Sequence, residues 1–96
     1  MRPIFLLTPP RFELGSVYVT AGIRCSVDSD DLLHGFMRHV TGDWGDLCEE
    51  DRQANEQACE IGTRILSSYT DRNQVRFWII TEADRSATTA LLPDEY

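Results

Sequence analysis

The chain has 96 residues, of which 42% are hydrophobic and 26% charged, and its formal net charge is −7. This length is typical of one domain, since two would each be too small to bury a stable core, and the composition excludes intrinsic disorder. No run reaches the roughly twenty apolar residues of a membrane span, and the apolar run at residues 4–7 is too short for a secretory signal. We therefore expect a cytoplasmic protein with a loose, proline-containing N-terminal arm, residues 1–11, and a single domain, residues 12–96.

The negative charge is concentrated in one segment. Residues 43–60 contain seven acidic side chains and one basic side chain, a local balance of −6 within the total of −7. A field of this sign attracts basic partners and repels nucleic acids and anionic membrane surfaces. The predicted partner is therefore a basic protein surface, with no direct binding of nucleic acid or membrane.

The three cysteines indicate neither a disulfide framework nor a metal site. Cys25, Cys48 and Cys59 are odd in number, and no two have the spacing of a zinc knuckle. Reduced thiols are the expectation for a cytoplasmic chain. A zinc site would need a further ligand from His34 or His39. No cofactor is predicted.

The first elements in chain order are a strand and a helix. Alternating apolar residues predict a strand over residues 12–20, bent at Gly15, and a turn at residues 21–22. Asp28 then has the position of a helix N-cap, and an amphipathic stripe follows. Gly42 is typical of the left-handed residue that ends a helix.

A second helix is predicted from Asp46 to Gly62. Asp46 and Glu49 have the spacing of a capping box. Small and apolar side chains at helical spacing are expected to face the core: Leu47, Ala54, Ala58 and Ile61. The opposite side carries Glu49, Gln53, Glu56 and Glu60. At about 1.5 Å per residue the three glutamates would form an acidic ridge roughly 16 Å long.

The remaining sequence alternates with the period of strands. Strands are predicted at residues 64–70, 75–81 and 87–92, with turns at residues 71–74 and 82–86. The predicted fold is α+β: a small antiparallel sheet of three to four strands, made of the C-terminal three-strand meander plus the N-terminal strand, packed against two helices.

Enzymatic chemistry has little support in the sequence. There is no nucleophile elbow, and the loop before the second helix is rich in aspartate, which repels phosphate. His39, Asp43, Asp46 and Glu50 are ligand types close together in sequence, but their spacing matches no established metal site. A metal site at these four residues is kept as an alternative.

Trp44 and Arg85 each admit two interpretations. Trp44 is either a lid over the core or an interface anchor, a role for which tryptophan is enriched. Arg85 either pairs with Glu82 or the acidic helix, or forms a site together with the loop at residues 43–46. The candidate partner-binding residues are Asp43, Trp44, Asp46, Glu49, Glu56, Glu60 and Arg85.

Over residues 12–96 the chain resembles a family of small bacterial proteins found on plasmids and integrative elements. The resemblance is carried by Phe12-Glu13-Leu14-Gly15, His39, Gly42-Asp43-Trp44-Gly45-Asp46-Leu47, Glu50-Asp51, Asn55, Ser67-Ser68-Tyr69, Trp78 to Ser86, Thr88-Thr89 and Leu91 to Tyr96. Cys48 departs from the family pattern, in which serine or another cap residue is usual. The resemblance implies a setting on mobile elements and no established activity or cofactor.

Two hypotheses from different classes follow. In the first, a non-enzymatic binding protein or inhibitor docks its acidic helix on the nucleic-acid-binding surface of a host protein, such as a restriction or CRISPR complex. In the second, a small metal-assisted hydrolase uses His39, Asp43, Asp46 and Glu50 around the ion, with Arg85 holding an anionic substrate. The concentrated charge favours the first.

Overall fold

The computed structural model describes residues 9–96, so most of the predicted N-terminal arm, residues 1–8, lies outside the described residues. The last residue of the arm, Arg11, donates its backbone N–H to the carbonyl of Val40 at 2.8 Å. The chain is therefore attached to the domain from Arg11 onward, one residue before the predicted boundary.

The predicted α+β class is confirmed. The described residues form four strands, three α-helices and a C-terminal 3-10 helix. Their bounds are β1 Ser16–Val19, α1 Ala21–Ser26, α2 Ser29–Val40, α3 Glu49–Ile61, β2 Ile65–Thr70, β3 Arg76–Thr81, β4 Ala87–Leu91 and the 3-10 helix Pro93–Glu95.

The four strands form one mixed sheet in the order β1-β4-β3-β2. Strands β2, β3 and β4 are the predicted antiparallel meander. The expectation that β1 would also be antiparallel was wrong: β1 runs parallel to β4, with Val17 opposite Thr88. All three helices and two strands lie between β1 and β4 in the chain, so no hairpin sets the direction of β1, and a parallel pair needs such a long connection.

The main core lies between the sheet and the first two helices. Phe77 and Ile79 of β3 and Ala90 of β4 face Ile23 of α1, and these four side chains are almost fully buried. The turn predicted at residues 21–22 was wrong, since these residues begin helix α1. Thr20 caps it by accepting the N–H of Ile23 at 3.3 Å, a signal that the sequence carried.

Helix α2 begins and ends as predicted. The Asp28 side chain accepts the N–H groups of Asp30 and Asp31, both at 3.0 Å, and Gly42 follows the helix with a φ of 92°. In the middle of the helix, a Cβ on Gly35 would lie 2.9 Å from the Phe77 ring. The missing side chain therefore allows α2 to pack closely on β3.

Helix α3 begins three residues later than predicted. Its N-cap is Cys48, which makes no side-chain cap hydrogen bond, and Gly62 ends it in the left-handed conformation as expected. The buried side consists of Asn55 and Ala58. Two of the residues predicted to face the core, Ala54 and Ile61, are exposed.

The late start of α3 has a cause in the loop before it, residues 43–46, which pairs with the edge of β2. The backbone carbonyl of Trp44 accepts the N–H of Ser68 at 3.1 Å, and the backbone N–H of Asp46 donates to the carbonyl of Ser68 at 2.7 Å. The Asp46 backbone is thus part of a parallel bridge centred on Gly45. Its N–H, which a capping box would offer to Glu49, is bonded to Ser68, and its carboxylate accepts the Thr70 hydroxyl at 3.3 Å. The bridge also covers an edge of the sheet that would otherwise be open.

We expect Gly45→Ala to lower stability far more than Gly62→Ala. Both glycines have φ near 75°, so each substitution incurs the left-handed cost of about 1–2 kcal/mol. A Cβ at Gly45 would also overlap the Ser68 carbonyl oxygen, whereas none of the described atoms lies within 4 Å of the Gly62 position. Urea denaturation should show an additional loss of roughly 2 kcal/mol for Gly45→Ala. Equal losses would contradict the proposed bridge.

Candidate partner-binding surface

Trp44 is a core residue, and this burial does not fit its candidate role as an interface anchor. Its side chain is 4% exposed and packs in a second cluster with Ala58 and Ile65. The indole N–H donates to a carboxylate oxygen of Glu56 at 2.8 Å. The alternative interpretation, a lid over the core, is the one that the geometry supports.

Glu56 is held within the domain rather than free on the acidic ridge. The carboxylate oxygen that accepts the Trp44 indole also accepts Arg11 at 2.8 Å. The hydrogen bonds from Arg11 first, and Trp44 second, lower the pKa of Glu56. The Arg11 guanidinium lies 5.7 Å from the centre of the Trp44 ring. Glu56 therefore holds the end of the N-terminal arm against α3.

Asp43 is committed in the same way. Arg38 donates two hydrogen bonds to its carboxylate, at 2.7 and 3.1 Å. The Arg38 hydrogen bonds are the main reason that the pKa of Asp43 is lowered. The Asp43 carbonyl accepts the hydroxyl of buried Tyr69 at 2.6 Å, and Arg38 stacks on the Tyr69 ring at 4.7 Å.

Arg85 supports the end of α3 through carbonyl groups and makes no ion pair with a described carboxylate. It donates to the carbonyl oxygens of Ala58 at 2.8 Å and Thr63 at 2.7 Å. Its guanidinium lies 5.6 Å from the Phe12 ring, and the Phe12 ring stacks on Trp44 at 6.2 Å. Phe12 thus fills the space between the two loops that were considered as walls of one site.

His39 lies at the centre of a buried polar chain. The side chains of His39, Ser67 and Thr81 are completely buried. The ring contacts the Ser67 hydroxyl through Nδ1 at 2.5 Å and the Thr81 hydroxyl through Nε2 at 2.8 Å. Thr81 in turn contacts Thr88 at 2.7 Å. Helix α2 is therefore joined to three neighbouring strands through hydroxyl groups.

The direction of every proton in this chain follows from its last member. Thr88 donates its only hydroxyl proton to the carbonyl of Leu14 at 2.7 Å, so it must accept from Thr81. Thr81 must then accept from Nε2–H of His39, and Nδ1 accepts the Ser67 proton. A backbone carbonyl thereby selects the neutral Nε2–H tautomer of His39.

The serine–histidine pair within this arrangement is inaccessible. A serine hydroxyl donating to a histidine is the pairing of an activated nucleophile, but Ser67 and His39 are each 0% exposed. A substrate cannot reach Ser67. The ring is also neutral, since burial, and to a lesser extent the charge of Arg85, lowers the pKa of His39 to about 3.

The four residues considered for metal binding are not brought together. Both ring nitrogens of His39 are occupied by hydroxyl groups, and the Asp43 carboxylate is paired with Arg38. Asp46 and Glu50 are exposed. Within residues 9–96, no three His, Cys, Asp or Glu side chains are placed to share a metal ion.

Five carboxylates of the acidic segment remain available to a partner. None of them has a basic side chain of residues 9–96 in ion-pair contact, and all five are exposed. They form what we call the α3 acidic surface: Asp46, Glu49, Glu50, Asp51 and Glu60. The one basic residue among them, Arg52, directs its guanidinium to the carbonyls of Gly45 and Leu47, both at 3.1 Å.

The tertiary structure reduces the local charge that the sequence suggested. Arg11, Arg38 and Arg85 come from outside residues 43–60 and contact that segment. With these three guanidinium groups the balance of −6 becomes −3. The negative field is consequently strongest around the first turn of α3, where Glu49, Glu50 and Asp51 also interact favourably with the helix dipole.

A groove lies elsewhere, between α2 and the β2–β3 hairpin. Its volume is about 560 Å³, and its floor includes Gly35 and Phe77. The two arginines on its rim, Arg38 and Arg72, are each paired with aspartate. The groove therefore offers no free cation to an anionic ligand.

Comparison of the chain with protein-family models, curated proteins and solved structures found no match. Among the helices of residues 9–96, none has the length and apolar character needed to cross a membrane.

Mild acid is expected to destabilise the protein through His39. Its pKa is about 3 in the folded state and about 6.5 in the unfolded state, so the unfolded chain binds the extra proton between these values. The stability due to neutral His39 is complete above the unfolded pKa and is lost as the pH falls below it. Urea denaturation should show a decrease of about 2 kcal/mol between about pH 7 and pH 5.

The control is His39→Gln, which should flatten the pH dependence in that interval. Carboxylates with a lowered pKa, such as Asp31 and Asp43, act at lower pH. If the variant does not fold, an NMR titration of the native chain decides the question. A His39 ring that titrates near its unfolded pKa, or that has the Nδ1–H tautomer, would contradict the prediction.

Replacement of Trp44 is expected to affect stability first. Trp44→Ala removes a buried ring and should cost about 3–5 kcal/mol in unfolding free energy. Trp44→Phe retains most of the apolar contact and leaves the Glu56 carboxylate to Arg11, so it should cost about 1–2 kcal/mol. Partner binding by folded Trp44→Phe should equal that of the native chain. A selective loss of binding would restore the anchor hypothesis.

Proposed function

We propose that the protein is a non-enzymatic binding protein or inhibitor whose α3 acidic surface docks on a basic, nucleic-acid-binding surface of a host protein. The observation that supports this function is the set of five exposed carboxylates without an ion-pair partner among residues 9–96. By contrast, the carboxylates of Asp31, Asp43 and Glu56 are paired with arginine. A surface with excess negative charge is the one to which a positively charged partner is attracted most strongly.

The placement of the charge on a helix supports this interpretation. Glu49 and Glu60 are eleven positions apart, which corresponds to roughly 16 Å along the axis. The helix is fixed to the sheet through Asn55, whose side-chain amide donates to the Leu66 carbonyl at 2.7 Å. The carboxylates therefore project from a rigid element, so a partner orders only their side chains on binding.

The charge also suggests the class of partner. Grooves that hold DNA or RNA are lined with lysine and arginine that contact phosphates. A rigid row of carboxylates competes for the same cations. The resemblance to proteins of mobile elements makes a host defence complex, of the restriction or CRISPR type, the natural target. Binding there would be anti-restriction or anti-CRISPR activity in the cytoplasm.

The test uses the tagged full-length chain to capture proteins from a bacterial host at about 0.1 M salt, followed by titration of the purified partner. We expect to capture a basic protein. Duplex DNA or RNA should compete for its basic surface and release it from the tagged chain. The triple variant Glu49→Gln, Glu50→Gln, Glu60→Gln should bind this partner at least about tenfold more weakly, because it loses three surface charges.

The matched control removes three charges from other parts of the surface, with Glu13→Gln, Glu82→Gln and Asp94→Asn. These residues are exposed and lie outside α3, so net charge is equal in both triple variants. Equal weakening by both would show a general charge effect and would reject α3 as the docking surface. Unchanged binding by the α3 variant would do the same.

A further inference from the structure

Strand β1 is an open edge of the sheet within residues 9–96. It is the first strand in the order β1-β4-β3-β2 and pairs only with β4 among the described strands. The opposite edge, at β2, is covered by the bridge from Gly45 to Ser68. The Leu14 carbonyl, just before β1, accepts the Thr88 hydroxyl of β4 at 2.7 Å and so is directed toward β4 rather than along the outer side of β1. Among residues 9–96, only one edge of the sheet is thus available for further pairing.

The parallel ladder determines which backbone groups of β1 are free. The backbone N–H of Ser16 donates to the carbonyl of Ser86 at 2.9 Å, and the backbone N–H of Thr20 donates to the carbonyl of Ala90 at 3.2 Å. In a parallel pair alternate residues bond to the neighbouring strand. The N–H and C=O groups of Val17 and Val19 consequently point away from β4.

The edge is short but lacks two of the features with which proteins usually prevent pairing. Residues 16–19 are Ser-Val-Tyr-Val, without a charge or a proline, and both features normally protect an edge strand. Val17 is 50% exposed and Tyr18 is 56% exposed. Unpaired backbone groups beside apolar side chains favour the addition of another strand.

We propose that a second copy of this chain pairs with β1 in antiparallel orientation, with the two-fold axis passing between the two Tyr18 residues. Val17 of each copy then lies opposite Val19 of the other. Each Val17 exchanges two backbone hydrogen bonds with its opposite residue, so four new bonds use every free group on both strands. The two Tyr18 residues form the intervening non-hydrogen-bonded pair, in which side chains are close.

Neither neighbouring symmetric register satisfies the same groups. An axis at Val17 would place Val19 opposite Gly15, which has a φ of 66° and has left the strand conformation. An axis at Val19 would place Val17 opposite Ala21, which is the first residue of α1. The Tyr18-centred register is therefore the one that a strand of four residues supports.

The distribution of charge permits a second copy as the occupant of this edge. The α3 helix packs on β2, which is separated from β1 by two strands. At about 4.8 Å per strand, the two α3 helices of the dimer would be roughly 30 Å apart. That distance is several times the Debye length of about 8 Å in physiological salt. The acidic surfaces therefore do not repel each other strongly and face outward at both ends of an eight-stranded sheet.

The association should be weak, since four residues from each copy bury far less area than a stable dimer interface. We expect a dissociation constant on the order of 0.1 mM. Sedimentation equilibrium of the full-length chain from about 10 µM to 1 mM should show a monomer–dimer equilibrium. This inference does not depend on partner binding by α3.

Val17→Pro is the first test, because it removes only the outward N–H and leaves the bonds between β1 and β4 in place. We expect unchanged circular dichroism and dimerisation weakened at least tenfold. The control Leu33→Lys changes another exposed apolar residue, 51% exposed on α2, and should leave dimerisation unchanged. If Val17→Pro does not fold, Val17→Lys, which places a charge on the same edge, replaces it.

A cross-linking experiment tests the register. In a background of Cys25→Ser, Cys48→Ser and Cys59→Ala, Tyr18→Cys should form a disulfide-linked dimer on mild oxidation. Val17→Cys should not, because two Val17 positions do not face each other in this register. Preferential cross-linking of Val17→Cys would reject the register. A native chain that remains monomeric at about 1 mM, or a dimer unaffected by Val17 substitution, would overturn the proposal.

Discussion

The buried imidazole of His39 is the interaction on which the rest of the structure depends. It joins α2 to β2 through Ser67 and to β3 through Thr81, and the bonds continue to Leu14 in the segment before β1. Each donor has one acceptor, and no buried side-chain atom of residues 9–96 lacks a partner. An unpaired polar group in this position would cost about 1–3 kcal/mol. The series of hydrogen bonds therefore also selects one arrangement of these helices and strands.

Arginine serves mainly to hold this acidic domain together. Four guanidinium groups lie over aromatic rings: Arg11 on Trp44, Arg38 on Tyr69, Arg64 on Tyr96 and Arg85 on Phe12. Two of these, Arg11 and Arg38, also pair with carboxylates of the acidic segment. The exposed negative charge is therefore what remains after internal pairing. Within the α3 acidic surface, four of the five carboxylates lie at or just before the first turn of α3, a helix that Arg85 and Asn55 fix to the rest of the fold.

The two ends of the sheet have different properties. At β2 the loop of residues 43–46 covers the edge, and α3 displays its carboxylates beside it. At β1 the strand is short, uncharged and unpaired within residues 9–96. Charge and unsatisfied backbone are thus separated by the width of the sheet. A partner of opposite charge and a second copy of the chain would meet different surfaces.

Local signals in the sequence determined the α+β class, the three C-terminal strands, the Asp28 cap and the Gly62 stop, because alternation and capping act within a few residues. The Asp46–Glu49 capping box failed since Ser68, distant in the chain, binds the Asp46 backbone. The candidate site was also predicted only in part. Asp46, Glu49 and Glu60 are exposed as expected of partner-binding residues, whereas Trp44, Glu56 and Arg85 have structural roles. Charge and periodicity can be read along the chain. Burial and pairing depend on which distant residues meet, and only the tertiary structure decided those.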